Sequence, residues 1–252
     1  MNKDISEVLD DWEFDPENTV RFVDTTDGRQ LVQVRLPMGM EQYHLEGRPD
    51  GARPFGHESM VDEIENRIAK FIKKHGEDSG YNIDHEAFAL MQNEGFIYYQ
   101  RYLVLFSIGD YKRTARDTAH NLRLCSLVEK YCTSKEDKKA YLQYKPYILR
   151  VNALSRAMVH LSKNEKTEAL DVLDKAANVI EGMQNIGTHI FRIERNRSLD
   201  QLRKTYKQLQ EYKIGVIDQL EAELQDAVDG EDYERAVELR DKIFKIKQRQ
   251  KR

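Results

Sequence analysis

The spacing of apolar residues changes character along the chain, and the changes mark out its elements. Residues 1 to 17 place Val8 and Trp12 four apart, the spacing of a short helix, and Pro16 ends it. The only Trp is expected to anchor this arm to the body. From Val20 the period shortens to that of strands. VRFVDTT leads into Asp27-Gly28, and RQLVQVRLP comes next, with Leu31, Gln33 and Arg35 alternating against Val32, Val34 and Leu36. An Asp-Gly pair between two such runs signals a hairpin. A third run, Glu41 to Leu45, adds a strand before the loop GRPDGARPFG. Three short strands make a small sheet that needs other protein to cover it.

After that loop the pattern is helical. Val61, Ile64, Ile68, Phe71 and Ile72 share one face of a helix that closes at His75-Gly76. Ile83 to Ser107 carries a broad apolar face of Phe88, Met91, Phe96, Tyr99, Leu103 and Phe106. Two helix-turn-helix pairs come next: Phe96 to Ile108 and Lys112 to Tyr131 about Gly109-Asp110-Tyr111, then Lys139 to Leu161 and Thr167 to Met183 about Asn164 to Lys166. Gly109-Asp110-Tyr111 and the run Glu168-Ala169-Leu170-Asp171-Val172-Leu173-Asp174-Lys175-Ala176 resemble tetratricopeptide units. That resemblance implies stacked helix pairs that present a concave face to a peptide or helix. The turns lie 55 residues apart (109 to 164) where the family period is about 34, and Thr114 and Asn121 replace small residues. An ordinary antiparallel helical bundle satisfies the same pattern.

From Ile186 to Val228 the chain reads as one long helix. Leu199, Leu202, Tyr206, Leu209, Val216 and Leu220 approximate a heptad seam, with Lys213 at a seam position and Gly215 permitting a bend. Straight, such a helix of about 40 residues spans about 60 Å and holds the C-terminal segment away from the bundle. Its seam offers a route to self-association. The alternative is a helix lying along the bundle and buried by it.

The last segment carries the densest pattern. Leu220, Leu224, Ala227 and Val228 share a face, a polar break comes at Asp229 to Asp232, and Ala236, Leu239, Arg240 and Ile243 form a second face. Two short helices should fold back on each other. Leu220, Leu224, Ala227, the turn Glu231-Asp232-Tyr233-Glu234, Ala236 and Glu238-Leu239-Arg240-Asp241-Lys242-Ile243 resemble the UVR motif. This helical hairpin is found at the C-terminus of UvrB, within UvrC, in Clp-type chaperones and in the activator of bacterial protein arginine kinase. The resemblance implies a device without an active site that pairs with another UVR-type hairpin. On it, partner binding falls to Leu220, Leu224, Tyr233, Ala236, Leu239, Arg240 and Ile243. Packing of the hairpin onto the rest of this chain is the competing expectation.

Composition narrows the class. Of 252 residues, 40% are apolar and 33% charged, which suits amphipathic helices with much solvated surface. The net charge of -4 hides a polarity. Met1 to Thr19 holds seven acids against one Lys, whereas Lys242 to Arg252 holds six bases and no acid. The basic tail suits contact with nucleic acid, and equally a solvated C-terminal turn whose cations complement the helix dipole. Cys125 and Cys132 lie seven apart, a spacing unlike a zinc knuckle, and read as buried reduced thiols of a cytoplasmic protein. The paired zinc-binding cysteine motifs of the kinase-activator relatives are missing. No apolar run reaches membrane length, and MNKDISEVLDDWEFD is acidic where a signal peptide is basic.

Reactive groups at workable spacing are the next question. His85-Glu86 and His57-Glu58 begin like zinc-protease helices, but Ala89 and Val61 stand where the second His is needed. The chain has no phosphate-cradling Gly-rich loop, dinucleotide fingerprint or Gly-x-Ser-x-Gly elbow. His120 and His160 read as satisfied or exposed helix residues. The loop Gly47 to His57, with Arg48, Arg53 and His57, is the best anion-contacting candidate against an ordinary solvated turn. Tyr98, Tyr99, Tyr102, Tyr111, Tyr131, Tyr141, Tyr144 and Tyr147 crowd the centre beside Arg101, Arg113, Lys145 and Arg150. They suit a nucleobase-stacking or peptide groove, or a core with wet tips.

The expected protein is mainly α: an N-terminal arm and small β-element over residues 1–56, and a tetratricopeptide-like helical body over 57–185. A connecting helix over 186–216 leads to a UVR hairpin over 217–252. The expected function is that of a cytoplasmic, non-enzymatic adaptor without cofactor or metal, linked to nucleotide excision repair. The alternatives are a regulator of a Clp-type chaperone or protein arginine kinase system, and a nucleic-acid-binding protein using the basic tail.

Overall fold

The computed structural model describes residues 5–211 and 216–250. Helix α1 (Ser6–Asp10) precedes an antiparallel sheet of β1 (Val20–Asp24), β2 (Gln30–Leu36) and β3 (Gly39–His44) in the order β1-β2-β3. Helices then succeed one another: α2 (Met60–His75), α3 (His85–Ser107), α4 (Tyr111–Tyr131), α5 (Lys135–Leu142), α6 (Lys145–Leu161), α7 (Lys166–Glu181), α8 (His189–Glu211), α9 (Val216–Asp229) and α10 (Tyr233–Gln250). One apolar core gathers α2 to α6 around Val61, Ile64, Phe88, Met91, Leu124 and Val128. A second joins α6, α7 and α8 around Ala157, Leu173, Ile180 and Leu202.

Three connections use one backbone solution. After α3, α6 and α9 a residue with positive φ ends the helix: Gly109, Asn164 and Glu231, at 79°, 61° and 56°. In each, the next amide reaches back five residues, Asp110 to the Leu105 carbonyl, Glu165 to His160 and Asp232 to Ala227, at 2.9, 3.0 and 2.8 Å. This is the Schellman arrangement, which satisfies carbonyls the helix end would leave unpaired. The succeeding helices α4 and α10 are capped by Asp110 and Asp232, which accept from the amides of Arg113 and Arg235. The pairs α3–α4, α6–α7 and α9–α10 are therefore helical hairpins built on the same turn.

The sheet is fixed to the body by buried charge. Arg101 on α3 donates through Nε and Nη2 to both oxygens of Asp117 on α4, at 2.6 and 2.8 Å, and both side chains are fully buried. Its Nη1 donates to the His44 carbonyl at the end of β3. Arg116 carries the latch onward to the Leu45 carbonyl and the Glu46 carboxylate. Val32, Tyr43 and Leu45 then pack on Leu105 of α3. The opposite face of β2 is covered too. Arg35 is buried there and donates to the carbonyls of Trp12 and Gly39, while the Arg21 guanidinium lies over the Trp12 ring. Trp12 thus anchors the arm to the sheet.

The structure corrects two sequence expectations. The helix expected over Lys139 to Leu161 is broken at Gln143–Tyr144, and Pro146 sits in the first turn of α6, where its missing N–H is harmless. The helix after Ile186 does not hold its seam free. Leu199, Leu202 and Leu209 are buried against α6 and α7, with Tyr206 packed alongside, so α8 lies along the body. An amphipathic helix beside an open apolar face gains more by closing it than by projecting into water. The seam of α8 is therefore not the surface for self-association. The bend expected at Lys213 to Gly215 lies outside the described residues.

Both cysteines are buried and unpaired, and burial pushes the Cys125 thiol up to about 12. At pH 8 only about one Cys125 in ten thousand is then thiolate. A colorimetric thiol assay should find Cys125 silent in the native protein, with two equivalents reacting in denaturant. The sign of the shift also sets a pH dependence. A thiol raised above its ordinary value of 9.0 favours the fold below that pH, and the contribution fades as pH climbs from 9 toward 12. Arg101→Leu should destabilise the protein by about 3 to 5 kcal/mol in urea unfolding, because Asp117 is left buried without its principal partner.

Candidate partner-binding hairpin

The hairpin of α9 and α10 closes on itself. Ala227, Ala236 and Leu239 are buried together, with Leu220 and Leu224 packed against them, and Ile243 is buried one turn beyond Leu239. Small residues at 227 and 236 flank the turn and let the two backbones approach. Arg235 faces Glu223 across the pair at 3.7 Å, an exposed contact that adds little.

This placement divides the seven residues assigned from the sequence. Leu220, Leu224, Ala236, Leu239 and Ile243 form the inner seam of the hairpin. Only Tyr233 and Arg240 stand outward, with Tyr233 66% exposed. The structure adds two residues that the sequence pattern did not single out: Val237, 47% exposed, and Phe244, 63% exposed. Positions 233, 237, 240 and 244 advance by four, three and four, so they form one stripe along α10. Arg240 pairs with Asp241 at 3.3 Å beside that stripe, which gives it a polar edge. The periodicity is present in the sequence, but the inner face, with its Ala, Leu and Ile, carries the stronger signal.

Other candidate surfaces resolve differently. In the loop after β3 the basic side chains face carboxylates: Arg48 pairs with Glu94 and Asp50, Arg53 with Glu58, and His57 Nε2 stands 3.1 Å from Glu63. The buried Arg48–Glu94 pair braces that loop against α3. The cations among the tyrosines are paired as well, Arg101 with Asp117, Arg113 with Asp110, Lys145 with Glu129 and Arg150 with Glu194. Tyr98 stacks on His120 at 3.8 Å, and His120 is held 2.9 Å from Glu94. Tyr99, Tyr102, Tyr141, Tyr144 and Tyr147 border a cleft between α3, α5, α6 and α8. Of the basic tail, Lys251 and Arg252 lie outside the described residues. Among the described residues, no group of three or more His, Cys, Asp or Glu is placed to hold a metal ion, and no helix is long and apolar enough to cross a membrane.

Comparison with curated proteins and with solved structures finds no match. One family model does match, described as the UvrB/uvrC motif, over residues 215–249. Those bounds take in α9, the turn at Glu231 and nearly all of α10, and the C-terminal hairpin is therefore a UVR motif.

Proposed function

We propose that this protein is a non-enzymatic adaptor that recruits another protein through its C-terminal UVR hairpin. The observation that carries the reading is the stripe of Tyr233, Val237 and Phe244, left exposed on a hairpin whose inner seam is already shut. A pair of helices this short gains little stability from its own seam. An aromatic and aliphatic stripe edged by an Arg has the composition of an interface centre. The partner is a protein with a UVR-type surface of its own. Since the hairpin resembles those of UvrB and UvrC, nucleotide excision repair is the first setting proposed, and a Clp-type chaperone or protein arginine kinase system is the second. The two unpaired thiols suit a reducing cytoplasm.

Affinity capture from source cells, read by mass spectrometry, compares the full chain with a version ending at Glu211 and with two point variants. Val237→Asp combined with Phe244→Asp should lose the partner while circular dichroism stays unchanged, because both side chains face water in the free protein. Leu239→Asp should lose the partner together with helical signal, because it places a charge in the closed seam. Excision-repair subunits among the lost proteins favour the first setting, and chaperone or kinase subunits the second. Full retention of partners by the folded Val237→Asp/Phe244→Asp variant would overturn the assignment of the stripe.

A further inference from the structure

The tyrosine-bordered cleft of the body has the chemistry of a binding site independent of the hairpin. It measures about 730 Å³, within the range of pockets that take small ligands or side chains. Its floor is built around Gly95 in the middle of α3, where a glycine is otherwise unfavourable. A Cβ there would collide with the Tyr141 hydroxyl. Asn121 of α4 donates its Nδ2 to the Gly95 carbonyl at 2.9 Å, which turns its Oδ1 away from that bond. Asn121 is 2% exposed and Tyr141 7%, yet Asn121 Oδ1 and Tyr141 Oη have no hydrogen-bond partner. Two polar groups left unpaired at this depth are costly unless something supplies the missing bonds.

The missing bonds have a sign. Asn121 Oδ1 can only accept, and the Tyr141 hydroxyl can accept as well as donate. On the α8 wall, Glu194 Oε2 also lacks a hydrogen bond, since its nearest cation, Arg150 Nη2, stands 3.8 Å away. Arg197, exposed at the rim, reaches only to 3.5 Å from the other Glu194 oxygen. Above them stand the aromatic groups of Tyr99, Tyr102 and Tyr147, set edge to face at 5.5 and 6.1 Å. Burial raises the Tyr102 and Tyr141 hydroxyls above their ordinary range, so both stay neutral, and the charged groups lining the cleft are the Glu194 carboxylate and, at its rim, Arg197. Arg150 has an unpartnered Nη1 of its own, but it is absent from the lining of the cleft and lies over the Tyr147 ring.

We infer that this cleft binds an organic cation bearing N–H donors, a guanidinium or ammonium group, held by the tyrosine faces with Glu194 and Asn121 as acceptors. Aromatic faces attract such cations when water is excluded, and a carboxylate whose resident arginines stand at 3.5 and 3.8 Å can take a shorter bond from an incoming N–H. The same chemistry is presented by a free amine or by a basic side chain of a peptide.

Isothermal titration calorimetry on the full chain tests this with three probes: agmatine, acetyl-Gly-Arg-Gly-amide, and the same peptide with citrulline, the neutral isostere, in place of Arg. At least one cationic probe should bind saturably at one site, and the citrulline peptide should bind at least about tenfold more weakly. Glu194→Gln should weaken the cation by about tenfold, as expected for losing a bond between charged groups. Phe96→Ala, at the exposed mouth, should weaken it without touching the fold. Binding of agmatine assigns the site to free amines, and binding of the peptide alone assigns it to a basic side chain. Equal binding of the arginine and citrulline peptides, full affinity in both folded variants, or no saturable binding of either cation at millimolar concentration would overturn the inference.

Discussion

A single buried carboxylate holds together the parts that the chain order keeps far apart. Glu94, in the middle of α3 and fully buried, accepts from Arg48 Nη1 in the loop after β3 at 2.9 Å. It also accepts from the backbone amides of Met60 and Val61 at the start of α2, at 2.7 and 3.3 Å, and meets His120 of α4 at 2.9 Å. The helix start contributes unpaired N–H groups and the positive end of its dipole, so the carboxylate finds there the solvation it lost on burial. Loop, α2, α3 and α4 are thereby fixed by one group. Two turns farther along α3, Arg101 performs the complementary task with Asp117 and the end of β3. The small sheet has structure because α3 presents these two charges to it and to its exit loop.

That anchoring gives a body built on two closed cores, followed by a hairpin whose outer stripe stays in water. Helix α8 closes the second core of the body with Leu199, Leu202 and Leu209. The hairpin repeats the same turn geometry as the helix pairs of the body, down to the five-residue reach of the amide after the turn. It differs in its cover. In the body the α6–α7 pair is closed by α8, whereas on α10 Tyr233, Val237 and Phe244 remain in water. Repeat-like helix pairs are stabilised by their neighbours, and a terminal pair with an apolar outer face lacks one.

Much of the architecture was legible because period and punctuation agreed. Asp27-Gly28 gave the β-hairpin, His75-Gly76 the end of α2, and Gly109-Asp110-Tyr111 the α3–α4 turn. The departures share a cause: a periodic pattern tells which residues are apolar together but not what covers them. The seam of α8 looks the same whether it faces another chain or α6 and α7. Leu239 and Ile243 look like contact residues because they are large apolar side chains of the motif, and for that reason they go to its own interior. Val237 and Phe244 are harder to see, being interleaved with charges. The floor of the cleft is illegible in the sequence, since it depends on Gly95 meeting Tyr141 and Asn121 across three helices.

The most direct measurement of whether the hairpin is the recruiting surface is hydrogen–deuterium exchange by mass spectrometry on the full chain, alone and in the complex recovered by affinity capture. Recruitment by the hairpin predicts slowed exchange over residues 233–244 in the complex, with α2 to α8 unchanged. Slowed exchange within the helical body, and none in α10, would contradict it.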